Sequence, residues 1–377
     1  MPTITYLTTI HFDYGALELL AGETERLGIR RPFIATDQGV GAAGLLQRVR
    51  DALGPAEALT IFEDTPPNPT EAAVVAATAL YRAEGCDGVV AVGGGSAIDL
   101  AKAVALLATH PAPLGQYAAV EGGISRITKD VAPLIAIPTT AGTGSEVGRA
   151  SVIVMEDGRK LGLLSPNLLP KVAICDPSLT LSLPPALTAA TGMDAISHCI
   201  ETFLAPAVNP PADAIALDGL KRGIQHIERA TKNGEDREAR WNMMMAATEG
   251  AMAFQKGLGA VHALSHPLGA LPLRLHHGTL NAILLPAVLR FNRPAVEAKW
   301  KRLCGAMGLV TKGDAPEFIL GLNRRLGLPA GLAALGVDRA ILPDIARKAM
   351  KDHCHATNPR RPSEQDYLSI LEDSFAG

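Results

Sequence analysis

The sequence has little excess of either charge. Its 35 Lys+Arg stand against 38 Asp+Glu, a formal balance of −3, and no basic block breaks that evenness. The electrostatic footprint of a nucleic-acid binder is therefore missing. No polybasic stretch adjoins an apolar one, so a membrane-surface helix also lacks support. No apolar run approaches the ~20 residues that cross a bilayer. Cysteine is sparse: Cys86, Cys175, Cys199, Cys304 and Cys354 are odd in number and widely scattered. That pattern suits neither a disulfide framework nor a paired-cysteine zinc knuckle, and it points to a reducing compartment. The start, MPTITYLTTIHFDYG, lacks the basic and apolar regions of a signal peptide. A cytoplasmic, soluble globular protein is expected. What is abundant is core material: 47% of the residues are hydrophobic, enough for a large core, and 377 residues suit two domains.

The first half alternates short apolar runs with helical stretches. Residues 31–37, 59–62, 88–92 and 134–138 read as strands, and Thr70 caps a helical segment, EAAVVAATALYRAEG. Strand, loop and helix in repetition imply a parallel sheet covered by helices on both faces. After Leu183-Pro184-Pro185 the character changes to Ala/Leu/Met-rich segments at 186–205, 212–230, 238–256, 259–270 and 278–291. The expectation is an α/β dinucleotide-binding domain over 1–183 and a helical metal and substrate domain over 184–377, with a cleft between them.

Two loops and an acid suggest a nucleotide. Gly93-Gly94-Gly95-Ser96 follows a strand and opens a helix, where backbone N–H groups and the helix dipole favour a phosphate. A tight turn without a ligand would look the same, and the string is not G-x-G-x-x-G. Pro138-Thr139-Thr140-Ala141-Gly142-Thr143-Gly144-Ser145-Glu146 also leaves a strand's carboxyl end, and two such loops converge on the ligand crevice of an open α/β sheet. Asp37 ends an earlier strand, where it either caps a turn or accepts from a ribose hydroxyl and repels a 2′-phosphate. Together the three favour NAD over NADP.

A third group looks like metal ligands. Asp194 and His198 lie four apart, as do His262 and His266, and His276-His277-Gly278 follows. Such spacing shares one helix face, and an isolated Asp/His pair of this kind more often makes a local hydrogen bond than a metal site. Three histidines and a carboxylate from separate helices suit Fe²⁺ or Zn²⁺.

These motifs resemble the iron-containing (group III) alcohol dehydrogenases. The matching strings are GGGSAIDLAK (93–102), PTTAGTGSEV (138–147), LTAATGMDAISHCIE (187–201), GLGAVHALSHPLGA (257–270) and HGTLNAILLP (277–286), with CHATNPR (354–360) similar to the family's pocket segment. The resemblance covers nearly the whole chain and implies a Rossmann-like α/β domain, a helical domain and, commonly, a homodimer. It implies Asp194, His198, His262 and His277 as metal ligands. Leu273-Arg274-Leu275-His276-His277 holds one residue more than the family's usual interval, so counting from His262 selects His276, while aligning on His-Gly selects His277. We adopt His277, because loops absorb insertions more readily than helix starts.

The resemblance further implies Asp37, Asn68, Gly94, Gly95, Ser96, Asp99, Thr139, Thr140, Thr143, Ser145 and Lys160 around NAD(H), and His266 as a proton relay. Phe254 matches an aromatic position near the nicotinamide. Phe254, His353 and Cys354 are expected in the substrate pocket, and Arg149 is a candidate partner for a substrate carboxylate. The implied reaction moves a hydride between NAD(H) and a primary alcohol or aldehyde, the metal lowering the alcohol's pKa. Within the family, FLAPAVNPPADAIALDGL, AMAFQKGLG, LHHGTLNA and DHCHATNP look most like the branch that interconverts 4-hydroxybutyrate and succinic semialdehyde. The alternatives are another short-chain alcohol, diol or polyol dehydrogenase, a dehydroquinate synthase-like cyclase, a metal-free maleylacetate reductase, or a sensor without turnover. The string at 187–201 argues against the cyclase, and the full ligand set against the metal-free enzyme.

Overall fold

The computed structural model describes residues 8–54, 58–273, 275–310 and 314–376. The chain divides into two compact units, one of Tyr6–Thr140 and Gly144–Ser182, the other including Ala141–Thr143 and Leu183–Gly377.

The first unit carries eight strands among its described residues: β1 (Thr9–Phe12), β2 (Pro32–Ala35), β3 (Thr60–Phe62), β4 (Gly88–Gly93), β5 (Leu134–Pro138), β6 (Ala150–Val154), β7 (Lys160–Leu164) and β8 (Val172–Cys175). Six form a parallel sheet in the order β1-β8-β5-β4-β2-β3, and β6 pairs antiparallel with β7. Its helices are α1 (Leu20–Arg26), α2 (Gln38–Ala42), α3 (Leu45–Leu53), α4 (Glu71–Ala83) and α5 (Gly95–Thr109). Alternate strand residues face opposite sides. Phe33, Ala35, Val89, Ala91, Leu134 and Ala136 pack with α4 and α5, while Ile34, Val90, Val92, Ile135, Val172 and Ile174 pack with α1 and α3. Burial on both faces explains why the central strands read as continuous apolar runs.

The expected parallel sheet is present. Three features were not anticipated: β1, β8 and the β6–β7 hairpin. β1 is four residues of mixed polarity, TIHF, at a sheet edge, so it carries no buried-strand pattern. The hairpin turns through Asp157-Gly158, with Gly158 at φ +79°, a turn signal that was legible.

The second unit is helical throughout its described residues: α6 (Pro185–Leu204), α7 (Pro210–Lys232), α8 (Arg237–Met252), α9 (Ala260–Gly269), α10 (His277–Asn292), α11 (Glu297–Ala306), α12 (Ala315–Arg325), α13 (Leu342–Ala349) and α14 (Glu364–Asp373). α6 is its axis. From Met193 to Leu204 every residue of it is buried, polar ones included, so its Asp, His and Glu side chains must find partners inside.

Candidate functional site

Those partners come from α9 and α10. Asp194 and His198 stand one turn apart on α6, His262 comes from α9, and His277 opens α10. Oδ1 of Asp194 lies 3.5 Å from Nε2 of His198, 3.8 Å from Nε2 of His262 and 3.7 Å from Nε2 of His277. Ligand atoms about 2.1 Å from one tetrahedral ion stand roughly 3.4 Å apart, so the four donors converge on a position of that kind. Gly278 makes the approach possible. A Cβ there would lie 2.1 Å from the Ala190 carbonyl oxygen, so only glycine lets the first turn of α10 rest on the backbone of α6. His276 precedes that turn and is exposed.

The chemistry of the set fits a divalent cation. Burial pushes the His198 imidazole down to about 4 and that of His262 to about 3, so both rings are neutral and keep a lone pair. Asn281, one turn beyond His277, marks the focus. Its Nδ2 donates to Asp194 Oδ1 at 2.7 Å and lies 3.2 and 3.1 Å from Nε2 of His262 and His277. An amide donor, carrying partial positive charge, sits among the acceptors that a cation would share. The rings of His198 and His262 stack at 4.7 Å, and Phe254 meets His198 edge-on at 4.7 Å. On the far side of His262, Nδ1 lies 2.5 Å from Glu201 Oε2.

A second group adjoins the first. His266 stacks between His277, at 5.6 Å and 11°, and His353, at 5.5 Å and 20°. Its Nδ1 donates to Asp352 Oδ2 at 2.8 Å, while Asp352 Oδ1 accepts from the Cys354 backbone N–H at 2.8 Å. Burial alone would raise the Asp352 carboxyl, but His266 and His353 hold it well below the usual range. Burial pushes the Cys354 thiol far up, so it is no thiolate.

In the first unit, the two loops leave adjacent strands at one level. Gly93 pairs with Pro138 in register, and the Thr139 N–H donates to the Gly93 carbonyl at 3.0 Å. Gly93 has φ +149°, and a Cβ on it would come within 2.7 Å of Ala97 Cβ. Gly94, Gly95 and Ser96 stay half-buried at the head of α5, whose body is buried. Thr140 lies against Gly94, and Thr139 is buried. Asp99 and Ser145 are engaged internally. Asp99 accepts from Ser145 Oγ at 2.6 Å and from Val152 N–H at 3.0 Å, and buried Lys102 lies 2.7–2.8 Å from Ser145 O and Oγ, Gly148 O and Ala150 O. This network fixes the shape of the loop after β5. Lys160 donates to Asn68 Oδ1 at 2.7 Å, and Asn68 is the one non-glycine residue with positive φ among those described (+55°). Asp37 is the N-cap of α2, accepting from Val40 N–H at 3.0 Å. Arg149 is exposed just before β6, in the first unit. Thr143 is assigned to the second unit.

Three residues at these sites escaped the sequence reading. Glu201 was legible, because Asp194, His198 and Glu201 fall at i, i+4 and i+7 on one helix face. Asn281 follows His277 by four in the same way. Asp352 had no signal beyond its place beside His353.

The model of the iron-containing alcohol dehydrogenase family matches residues 8–177, and that of the family's C-terminal region matches 188–375. A 4-hydroxybutyrate dehydrogenase of Cupriavidus necator is 58% identical over the full length of both chains. A solved 1,3-propanediol oxidoreductase superposes with a TM-score of 0.92 at 34% identity, covering 99% of this chain and 100% of that one. A sulfoacetaldehyde reductase from Bifidobacterium kashiwanohense, solved with NAD⁺, gives 0.89 at 29% identity, covering 99% and 98%. The chain belongs to the iron-containing alcohol dehydrogenase family.

Proposed function

We propose that the protein is a metal-dependent dehydrogenase that interconverts 4-hydroxybutyrate and succinic semialdehyde with NAD(H), and that Asp194, His198, His262 and His277 hold Fe²⁺. The convergence of one carboxylate oxygen and three imidazole Nε2 atoms carries the metal half of this reading. Full-length identity of 58% to a 4-hydroxybutyrate dehydrogenase supports the substrate. When bound, the ion supplies Lewis acidity that lowers an alcohol's pKa and polarises an aldehyde, and the nicotinamide accepts or returns the hydride. The chain's own groups do the rest. Burial keeps His198 and His262 neutral. Asp352 accepts from His266 Nδ1, which leaves Nε2 of His266 to take the proton an alcohol must lose. The half-buried Gly94-Gly95-Ser96 turn and Thr140 offer backbone N–H and hydroxyl donors to a pyrophosphate, and Asp37 favours NAD over NADP.

The same reading takes the protein as a cytoplasmic homodimer, supported by its scattered cysteines and by the family resemblance. It is tested by following NADH absorbance with succinic semialdehyde, butanal, 1,3-propanediol and ethanol as substrates. Highest kcat/KM for succinic semialdehyde with NADH is expected. Equal or higher kcat/KM on the uncharged substrates would move the protein to another branch of the family.

A further inference from the structure

Glu201 is a fully buried carboxylate that the proposed reaction does not use. Oε1 accepts from the Val261 backbone N–H at 2.8 Å, and Oε2 lies 2.5 Å from His262 Nδ1. Gly259 faces it so closely that a Cβ there would stand 2.9 Å from Oε1. The carboxylate is thus clamped to the first turn of α9 at one oxygen and to the histidine at the other. An imidazole whose Nδ1 carries the proton presents a bare lone pair at Nε2. In His262 that Nε2 is the atom 3.8 Å from Asp194 Oδ1.

We infer that Glu201 is a positioning residue for the metal centre: it fixes the tautomer and ring orientation of His262 and so sets the affinity of the site for its ion. The inference rests on the ligand set proposed above. His198 and Glu201 lie three apart on α6, so one rigid helix carries both a ligand and the group that orients a ligand on α9. Outer carboxylates of this kind also raise the basicity of the imidazole they hold.

The test is Glu201→Gln. A carboxamide has one accepting oxygen, whereas this position requires two. If the oxygen meets His262, the NH₂ confronts the Val261 N–H. If the oxygen meets Val261, the NH₂ donates to His262 Nδ1 and drives its proton onto Nε2, where the ion must bind. Metal-stripped protein is titrated with Zn²⁺ against a competing chelator, slightly above neutral pH, with wild type, Glu201→Gln and His262→Ala in parallel. Binding to Glu201→Gln is expected to be roughly 10–100-fold weaker than to wild type. Binding within about threefold of wild type, with His262→Ala still impaired, overturns the inference and leaves the ligand set standing. Unimpaired binding by His262→Ala instead removes the ligand set itself. Nitrogen-15 spectra of the metal-free wild type, with His262 assigned by its loss in His262→Ala, decide the matter even if Glu201→Gln fails to fold. An Nδ1–H tautomer is expected, and an Nε2–H tautomer refutes the inference. A merely structural role for Glu201 would not move that tautomer.

Discussion

Adding one methyl group at Gly278 should disable the metal centre without replacing a ligand. The Cβ of Gly278→Ala would stand 2.1 Å from the Ala190 carbonyl oxygen, 2.8 Å from its carbon and 3.2 Å from Asp194 Cβ. Carbon–oxygen contacts settle at about 3.3–3.6 Å, so α10 and α6 must part by on the order of 1.2 Å. The obstacle is helical backbone, which cannot swing aside as a side chain would. Metal–ligand distances tolerate about 0.2 Å, so His277 leaves the set. Overpacking of this kind costs typically 1–3 kcal/mol, tolerable for a chain of this size. A misplacement near 1 Å lowers kcat/KM by about a hundredfold. The assay is elemental analysis of the purified variant, NADH-linked turnover, and NADH binding as the control for an intact first unit. Metal content and kcat/KM equal to wild type would refute the reasoning, since Gly278 would then be merely a convenient helix start.

Three further outcomes follow from single groups. Asp37→Gly should raise kcat/KM with NADPH relative to NADH, since glycine replaces an N-cap at a loss of only about a few tenths of a kcal/mol; an unchanged ratio would leave Asp37 a cap alone. Arg149→Ala should lower kcat/KM for succinic semialdehyde by about ten- to over a hundredfold while sparing butanal, because a charge-assisted hydrogen bond contributes roughly 1.5–3 kcal/mol; equal losses on both would place the carboxylate's partner elsewhere. Burial holds His198 at about 4, against 6.5 for a free imidazole, so its neutral form stabilises the metal-free fold fully above pH 6.5. That contribution fades as pH falls from 6.5 toward 4, at up to about 1.4 kcal/mol per pH unit; a thermal melt whose midpoint is level across that window would contradict it.

Legibility followed the length and burial of each element. α6, α7 and α10 were readable because long apolar segments sit between proline and glycine punctuation, and β4 and β5 because strands buried on both faces show as unbroken apolar runs. β1, at four residues on a sheet edge, offers no such run, and β8 (Val172–Cys175) is as short. The site shows the same division. Asp194, His198 and His262 announce themselves by helical spacing, but which of His276 and His277 faces Asp194 depends on the contact between Gly278 and Ala190, which pairs residues 88 apart. Asp99 and Ser145 lie in the glycine-rich motifs; their hydrogen bonds with Lys102 and Val152 are tertiary, and no local pattern encodes them. Asp352 stayed silent for the same reason: a hydrogen bond between elements leaves no period in the chain.

The central claim is that one carboxylate and three imidazoles hold a single ion on which turnover depends. Its most direct test is the metal content of wild type, Asp194→Ala, His276→Ala and His277→Ala after reconstitution with Fe²⁺, each measured beside NADH-linked reduction of succinic semialdehyde. One ion per chain is expected in wild type and in His276→Ala, with loss of both ion and turnover in Asp194→Ala and His277→Ala. Full occupancy and turnover in Asp194→Ala or His277→Ala would contradict the account.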